Sequence, residues 1–120
     1  MQKESFSKKD VIVGILYHTS EKVDHPRTIH DFLKDQLETR EKNPLLEIFR
    51  PELKAENPRL GLNTLNNLRV ERYVSSDLYQ EGITLLPDNR TIRKSFISKF
   101  NREQRDKIKE LGEQLSNYVT

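Results

Sequence analysis

Leu65-Asn66-Asn67-Leu68-Arg69-Val70-Glu71-Arg72-Tyr73-Val74, followed after a short gap by Leu78-Tyr79-Gln80-Glu81-Gly82-Ile83-Thr84-Leu85, changes its hydrophobic period within a single stretch. On its upstream side Leu62 joins Leu65 and Leu68 in a leucine at every third position, which predicts a helix burying one face. Downstream, Val70, Tyr73 and Val74 lead through a polar turn into Ile83, Thr84, Leu85 and Leu86, a run rich in β-formers that Pro87 and Asp88 stop. The expectation is a helix leading into a β-hairpin, with Gln80-Glu81-Gly82 at or near its tip.

Working outward from this stretch, the rest of the chain reads as helices. Ser7 to Asp10 has capping-box spacing, with Phe6 before the cap and Val11 placed for a hydrophobic staple. A first helix follows, carrying Val11, Ile12, Ile15, Leu16 and Tyr17 and ending near Thr19. Thr28 and Asp31 repeat the capping spacing ahead of Ile29, Phe32, Leu33 and Leu37, which predicts a second helix to about Arg40. Asn43-Pro44 and Asn57-Pro58 each suit an Asn cap with proline at the first helical position. The first opens a short segment with Leu45, Leu46, Ile48 and Phe49, expected to break or kink near Pro51; the second opens the leucine helix. Beyond Asn89, Ile92, Phe96, Ile97 and Phe100 share one side of a helix. Asn101 and Gln104 have capping-box spacing for a last helix from Arg102, with Ile108, Leu111, Leu115 and Tyr118 in an a/d-like series.

The order helix, helix, helix, hairpin, helix resembles the winged-helix family of helix-turn-helix DNA-binding domains over roughly residues 7–100. In that family the recognition helix commonly ends in two leucines three apart, a few charged residues and a glycine; an aromatic or aliphatic pair then opens the first wing strand, and the second strand often resembles Ile-Thr-Leu. Arg72 stands where the family usually has glycine, a residue favoured there because the chain leaves the helix in a left-handed conformation. About 17 residues separate the second helix from the leucine helix, against a turn of roughly 3 or 4 in the motif. Taking the Pro44 segment as the first motif helix leaves Ala55, Glu56 and Asn57 as the turn, and both assignments stand. The expected fold is mainly α with a short β-hairpin: a winged helix-turn-helix over residues 1–100 and an added C-terminal helix over 101–120.

Composition narrows the function classes. The 120 residues suit one domain, and the equal shares of hydrophobic and charged residues, 33% each, imply a lean core under a well-solvated surface. The absence of cysteine removes disulfides, thiolate nucleophiles and cysteine zinc sites and leaves cytoplasm as the expected compartment. Met1 to Lys9 lacks the apolar middle of a secretion signal, and no apolar run approaches the roughly 20 residues of a membrane span, so no membrane association is expected. His18, His25 and His30 do not share the spacing of a helical metal site, and Gly14, Gly61, Gly82 and Gly112 are too scattered for a phosphate-binding loop. No metal, no cofactor and no enzymatic activity are expected. Net charge is only +2 but unevenly distributed: residues 59–74 carry three basic groups against one acidic, 75–89 none against three, and 90–110 eight against three. Two basic blocks around an acidic one are a pattern that phosphate contacts leave.

With the leucines inward, Asn63, Thr64, Asn66, Asn67 and Arg69 occupy the outer arc of the leucine helix. Asn pairs with adenine and Arg with guanine through two hydrogen bonds, and Thr suits a phosphate or a thymine methyl. Lys8, Lys9, Arg59, Arg72, Arg90, Arg93 and Lys94 are the phosphate candidates, whereas the hairpin tip lacks positive charge. Ile108, Leu111, Leu115 and Tyr118 are read as a dimer contact that would match a two-fold DNA site, although the same stripe suits packing on the chain's own core. The functional expectation is a sequence-specific double-stranded DNA-binding protein acting as a homodimer, as a transcriptional regulator or a binder of a plasmid or phage site. The competing expectation is a non-catalytic module that docks on a protein partner.

Overall fold

Ser7 opens the first helix by donating its backbone N–H to the Asp10 carboxylate at 2.7 Å, one arm of the capping box that its spacing predicts. The computed structural model describes residues 6–39, 43–75 and 82–119. They form α1 (Lys8–Tyr17), α2 (Pro26–Thr39), α3 (Arg50–Leu53), α4 (Leu62–Val70), α5 (Asn89–Ser95) and α6 (Arg102–Val119), with 3₁₀ turns at Glu47–Phe49 and Ile97–Lys99.

α1 is the centre of the core. Every residue from Asp10 to Ile15 is buried, a degree of enclosure that a one-sided amphipathic helix does not reach. α6 covers it most closely. A Cβ on Gly112 would lie 2.6 Å from His18 Cβ and 2.9 Å from the Ile15 carbonyl, and one on Gly14 2.8 Å from Ile108. At Gly112 a side chain would meet backbone atoms of His18 and Ile15, and at Gly14 the missing side chain makes room for Ile108. Ile108, Leu111 and Leu115 are buried in this same contact. The a/d-like stripe therefore belongs to the chain's own core, and three of the four residues expected to form a dimer contact have no surface to offer a second copy. Tyr118 keeps 45% of its surface exposed, with its ring edge-on to Phe32 of α2 at 5.6 Å.

Helix boundaries follow local chemistry. Asn101 and Gln104 form a reciprocal capping box, N–H to side-chain oxygen at 2.9 and 2.8 Å, and α6 starts at Arg102 as expected. Asp88 accepts the Thr91 N–H at 2.8 Å and starts α5. α2 begins at Pro26, ahead of the Thr28 expected to cap it, because His25 Nδ1 accepts the Arg27 N–H at 3.0 Å. Pro51 does not break a helix; it lies in the first turn of α3, where its missing N–H is not needed. α4 begins at Leu62 rather than at Pro58.

The expected β-hairpin is not present: among the described residues there is no β-strand, only single antiparallel bridges between Val74 and Leu85 and between Val23 and Ile83. The winged-helix expectation is overturned with it, and the architecture is a helical globule. Two backbone bonds flank the Val74–Leu85 bridge, Leu86 N–H to the Tyr73 carbonyl at 3.0 Å and Ser75 N–H to the Thr84 carbonyl at 2.9 Å, and the Ser75 hydroxyl adds to them by donating to the Gly82 carbonyl at 2.7 Å and accepting the Thr84 N–H at 3.3 Å. The β-branched run serves as core instead, with Val74 and Ile83 buried. The expected tip residues Tyr79, Gln80 and Glu81 lie outside the described residues.

Gly112→Ala is expected to lower the unfolding free energy by about 3 kcal/mol, the upper end of the usual cost of overpacking, because two of the three closest contacts are backbone atoms that cannot turn aside. Urea unfolding checks this.

Candidate nucleic-acid interface

α4 is held rigidly at both ends. At its entrance Gly61 adopts φ 76°, in the left-handed region, and donates its N–H to Glu52 Oε1 at 3.0 Å. The other oxygen of that carboxylate receives Lys8 Nζ at 2.6 Å. One residue earlier, the Leu60 N–H donates to Nδ1 of buried His30 at 3.0 Å. At the exit, the Tyr73 N–H reaches the Leu68 carbonyl at 2.8 Å and the Arg72 N–H reaches the Arg69 carbonyl at 3.0 Å, the two bonds of a Schellman motif. Arg72 occupies its left-handed position with φ 68°. The chain thus leaves the helix as a glycine-ended one would, with an arginine in glycine's place.

Asn63, Asn66, Asn67 and Val70 are exposed at intervals of three, one and three, which puts them on one side of α4, opposite buried Leu65 and Leu68. Val70 retains 65% of its surface. One position of the predicted reading arc behaves differently: Thr64 is only 6% exposed and faces the core, so it has no edge to present to a base. Arg69 is half-buried and donates from Nη2 to Asn66 Oδ1 at 2.7 Å, which fixes the guanidinium and engages the amide oxygen of Asn66. Of the three asparagines on this face, Asn63 and Asn67 make no side-chain hydrogen bond among the described residues, and each has both amide functions available.

The phosphate candidates separate into groups. Arg59 and Arg72 are exposed and flank the two ends of α4. Lys8 and Lys9 are engaged with carboxylates, Lys8 with Glu52 at 2.6 Å and Lys9 with Glu71 at 2.7 Å, and Lys8 lies 5.9 Å from the Phe49 ring centroid. Arg90, Arg93 and Lys94 are exposed on α5. Arg93 lines a cleft with Tyr17 and His18 at the C-terminal end of α1, together with Arg105 and Lys109. Glu71, just past α4, meets Lys9 at the N-terminal end of α1. The structure therefore ties Arg69 to the asparagine face through Asn66, leaves Arg72 exposed at the end of α4 and Arg59 before its start, where it lines a cleft beside α2, and places Arg93 elsewhere.

Glu52 and His30 are the positioning residues that sequence reading missed. Each acts on α4 across a gap in the chain, and no local spacing announces either. A second omission was legible: Arg27, His30 and Lys34 recur at intervals of three and four on α2, a cationic stripe hidden by reading the histidines only as metal ligands. Among the described residues no group of three or more metal-ligating side chains occurs, and no helix is long and apolar enough to cross a membrane.

Burial holds the His30 pKa below its ordinary value of 6.5, with the Arg27 charge adding to the shift, and burial followed by Lys109 does the same for His18. The unfolded chain then binds protons near pH 6.5 that the folded chain refuses, so stability is full above that value and declines as pH falls towards the lowered folded values. Urea unfolding from pH 7.5 to 5 should show the decline, and His30→Gln should flatten it. Arg72→Gly is expected to raise the unfolding free energy by about 1 kcal/mol by relieving the left-handed strain, read from the urea midpoint. Compared with models of known protein families, with curated proteins and with solved structures, the chain matches none of them.

Proposed function

We propose that the protein binds double-stranded DNA through the outer side of α4 and carries out no chemistry. Asn63 and Asn67 contact base edges, Val70 meets an apolar group such as a thymine methyl, and Arg69, Arg59 and Arg72 engage the backbone or a guanine on either side. The observation that carries this reading is the single face on which the exposed asparagines sit, bracketed by guanidinium groups and backed by a leucine core that keeps the helix from turning.

Arg72 adds support from its backbone. A left-handed non-glycine residue costs on the order of 1 kcal/mol where glycine would cost little, and a side chain retained against that cost at the end of the asparagine face suits a contact with phosphate. Pairing two copies through the α6 stripe would require opening the core, so the proposed contact is that of one copy with one stretch of duplex. A second reading, docking of a protein partner on the same face, draws on the exposure of Val70 and of Leu86 beyond the core.

Selection from random duplex DNA with the purified chain should enrich a motif, and Asn67→Ala should weaken binding to that motif by about tenfold while leaving nonspecific binding unchanged. Affinity for nonspecific duplex should fall steeply with salt, by about one power of salt concentration per phosphate contacted. Equal loss on both DNAs would contradict the role of Asn67, and passage through a DNA column at low salt without retention would favour the protein partner.

A further inference from the structure

Arg27, His30 and Lys34 project from one side of α2, and that side faces the segment leading into α4. Between the two lies a cleft of about 480 Å³, to which His25, Asn57 and Arg59 also contribute. Three cations and two imidazoles line it, and no carboxylate does.

The groups are disposed to donate. The Arg59 guanidinium is exposed and has no ion-pair or hydrogen-bond partner among the described residues. Arg27 Nε stands 3.7 Å from Asp31 and Lys34 Nζ 3.7 Å from Glu38, long exposed pairs one helical turn apart that restrain these side chains only weakly. His30 is almost wholly buried, and because Nδ1 accepts the Leu60 N–H, the proton of the neutral ring resides on Nε2. Nε2 lies 4.0 Å from Asp31 Oδ1, beyond hydrogen-bond reach. No buried side-chain polar atom lacks a partner among the described residues, so Nε2 meets solvent on the cleft side of the ring. The first three residues of the helix offer no free amide: Pro26 has no N–H, that of Arg27 goes to His25 Nδ1, and that of Thr28 goes to the His25 carbonyl at 3.0 Å. Side chains from two separate segments, not a helix terminus, define the site.

The geometry points to a binding site for a phosphate group, carried by a small phosphorylated molecule or by a nucleic-acid strand. Guanidinium groups on opposite walls can each pair two phosphate oxygens, Lys34 supplies a third charge, and the His30 Nε2–H is a neutral donor fixed in the floor. The volume falls in the range of small-ligand sites and leaves room for an organic group on the phosphate. Arg27, His30 and Lys34 take no part in the proposed α4 contact, and Arg59 is the one residue shared by the two sites.

Titration of the full chain with inorganic phosphate, against sodium chloride at matched ionic strength and followed by NMR, tests this. Saturable shifts are expected at the His30 imidazole and the Leu60 amide, and Arg27→Gln and Arg59→Gln should each weaken binding about tenfold. Both side chains are exposed, and unchanged thermal midpoints would show that the variants remain folded. Shifts no larger than those from chloride, or shifts that survive both substitutions, would overturn the site. Competition identifies the source: displacement of phosphate by duplex DNA assigns it to a strand, and tighter binding of a 5′-mononucleotide without duplex competition assigns it to a small molecule. Asn67→Ala should leave the phosphate titration unchanged, which separates failure of the cleft from failure of the α4 reading.

Discussion

The closeness of α6 to α1 governs the rest of the structure. Gly112 lets the backbone of α6 approach the end of α1, and Gly14 leaves space on α1 that Ile108 of α6 fills. α1 is thereby enclosed on nearly every side, which explains how a chain only one-third hydrophobic still has an unbroken core from Val11 to Leu115. Ser116 fastens the same contact by accepting the Ser20 N–H at 2.8 Å while donating to the Gly112 carbonyl. Because the interior is satisfied within one copy, the cationic and amide groups are left to the surface, and they gather along α4 and beside α2.

α4 shows how a short helix can be made stiff enough to present a face. Nine residues with three asparagines are a weak helix by intrinsic propensity. Its stiffness comes from outside: Glu52 and His30 hold the entrance, the Schellman bonds close the exit, and Leu65 and Leu68 anchor the underside. Side chains on such an element keep their positions without drawing on the helix's own stability, which is what preorganised recognition requires.

The parts of this architecture that were legible in the sequence depend on residues a few positions apart. The Ser7–Asp10 and Asn101–Gln104 boxes and the leucine period of α4 are local patterns that the structure retains; Ile92, Phe96, Ile97 and Phe100 are all buried as expected, but the helix expected to carry them ends at Ser95 and a 3₁₀ turn follows. The wing failed because a β-rich run records only a preference for extended backbone; whether a strand forms depends on partners, and among the described residues the pairing stops at the single Val74–Leu85 bridge. The α6 stripe was equally ambiguous, since an apolar period specifies burial without saying against what. Of the site, the outward asparagines were readable from the leucine phase. The inward turn of Thr64, the pairing of Lys8 and Lys9 with Glu52 and Glu71, and the cleft between α2 and Arg59 all arise from contacts distant in the chain.

That the central helix finds its main partner at the far end of the chain also bears on how the protein is made. Ser20 bonds to Ser116 across 96 positions, and Gly14 meets Ile108 over a comparable span. On a ribosome, α1 emerges long before α6 and must wait with its apolar surface uncovered, so the globule closes only once α6 has cleared the exit tunnel. During that interval the nascent chain's exposure to aggregation is set by the rate of elongation as much as by the finished fold.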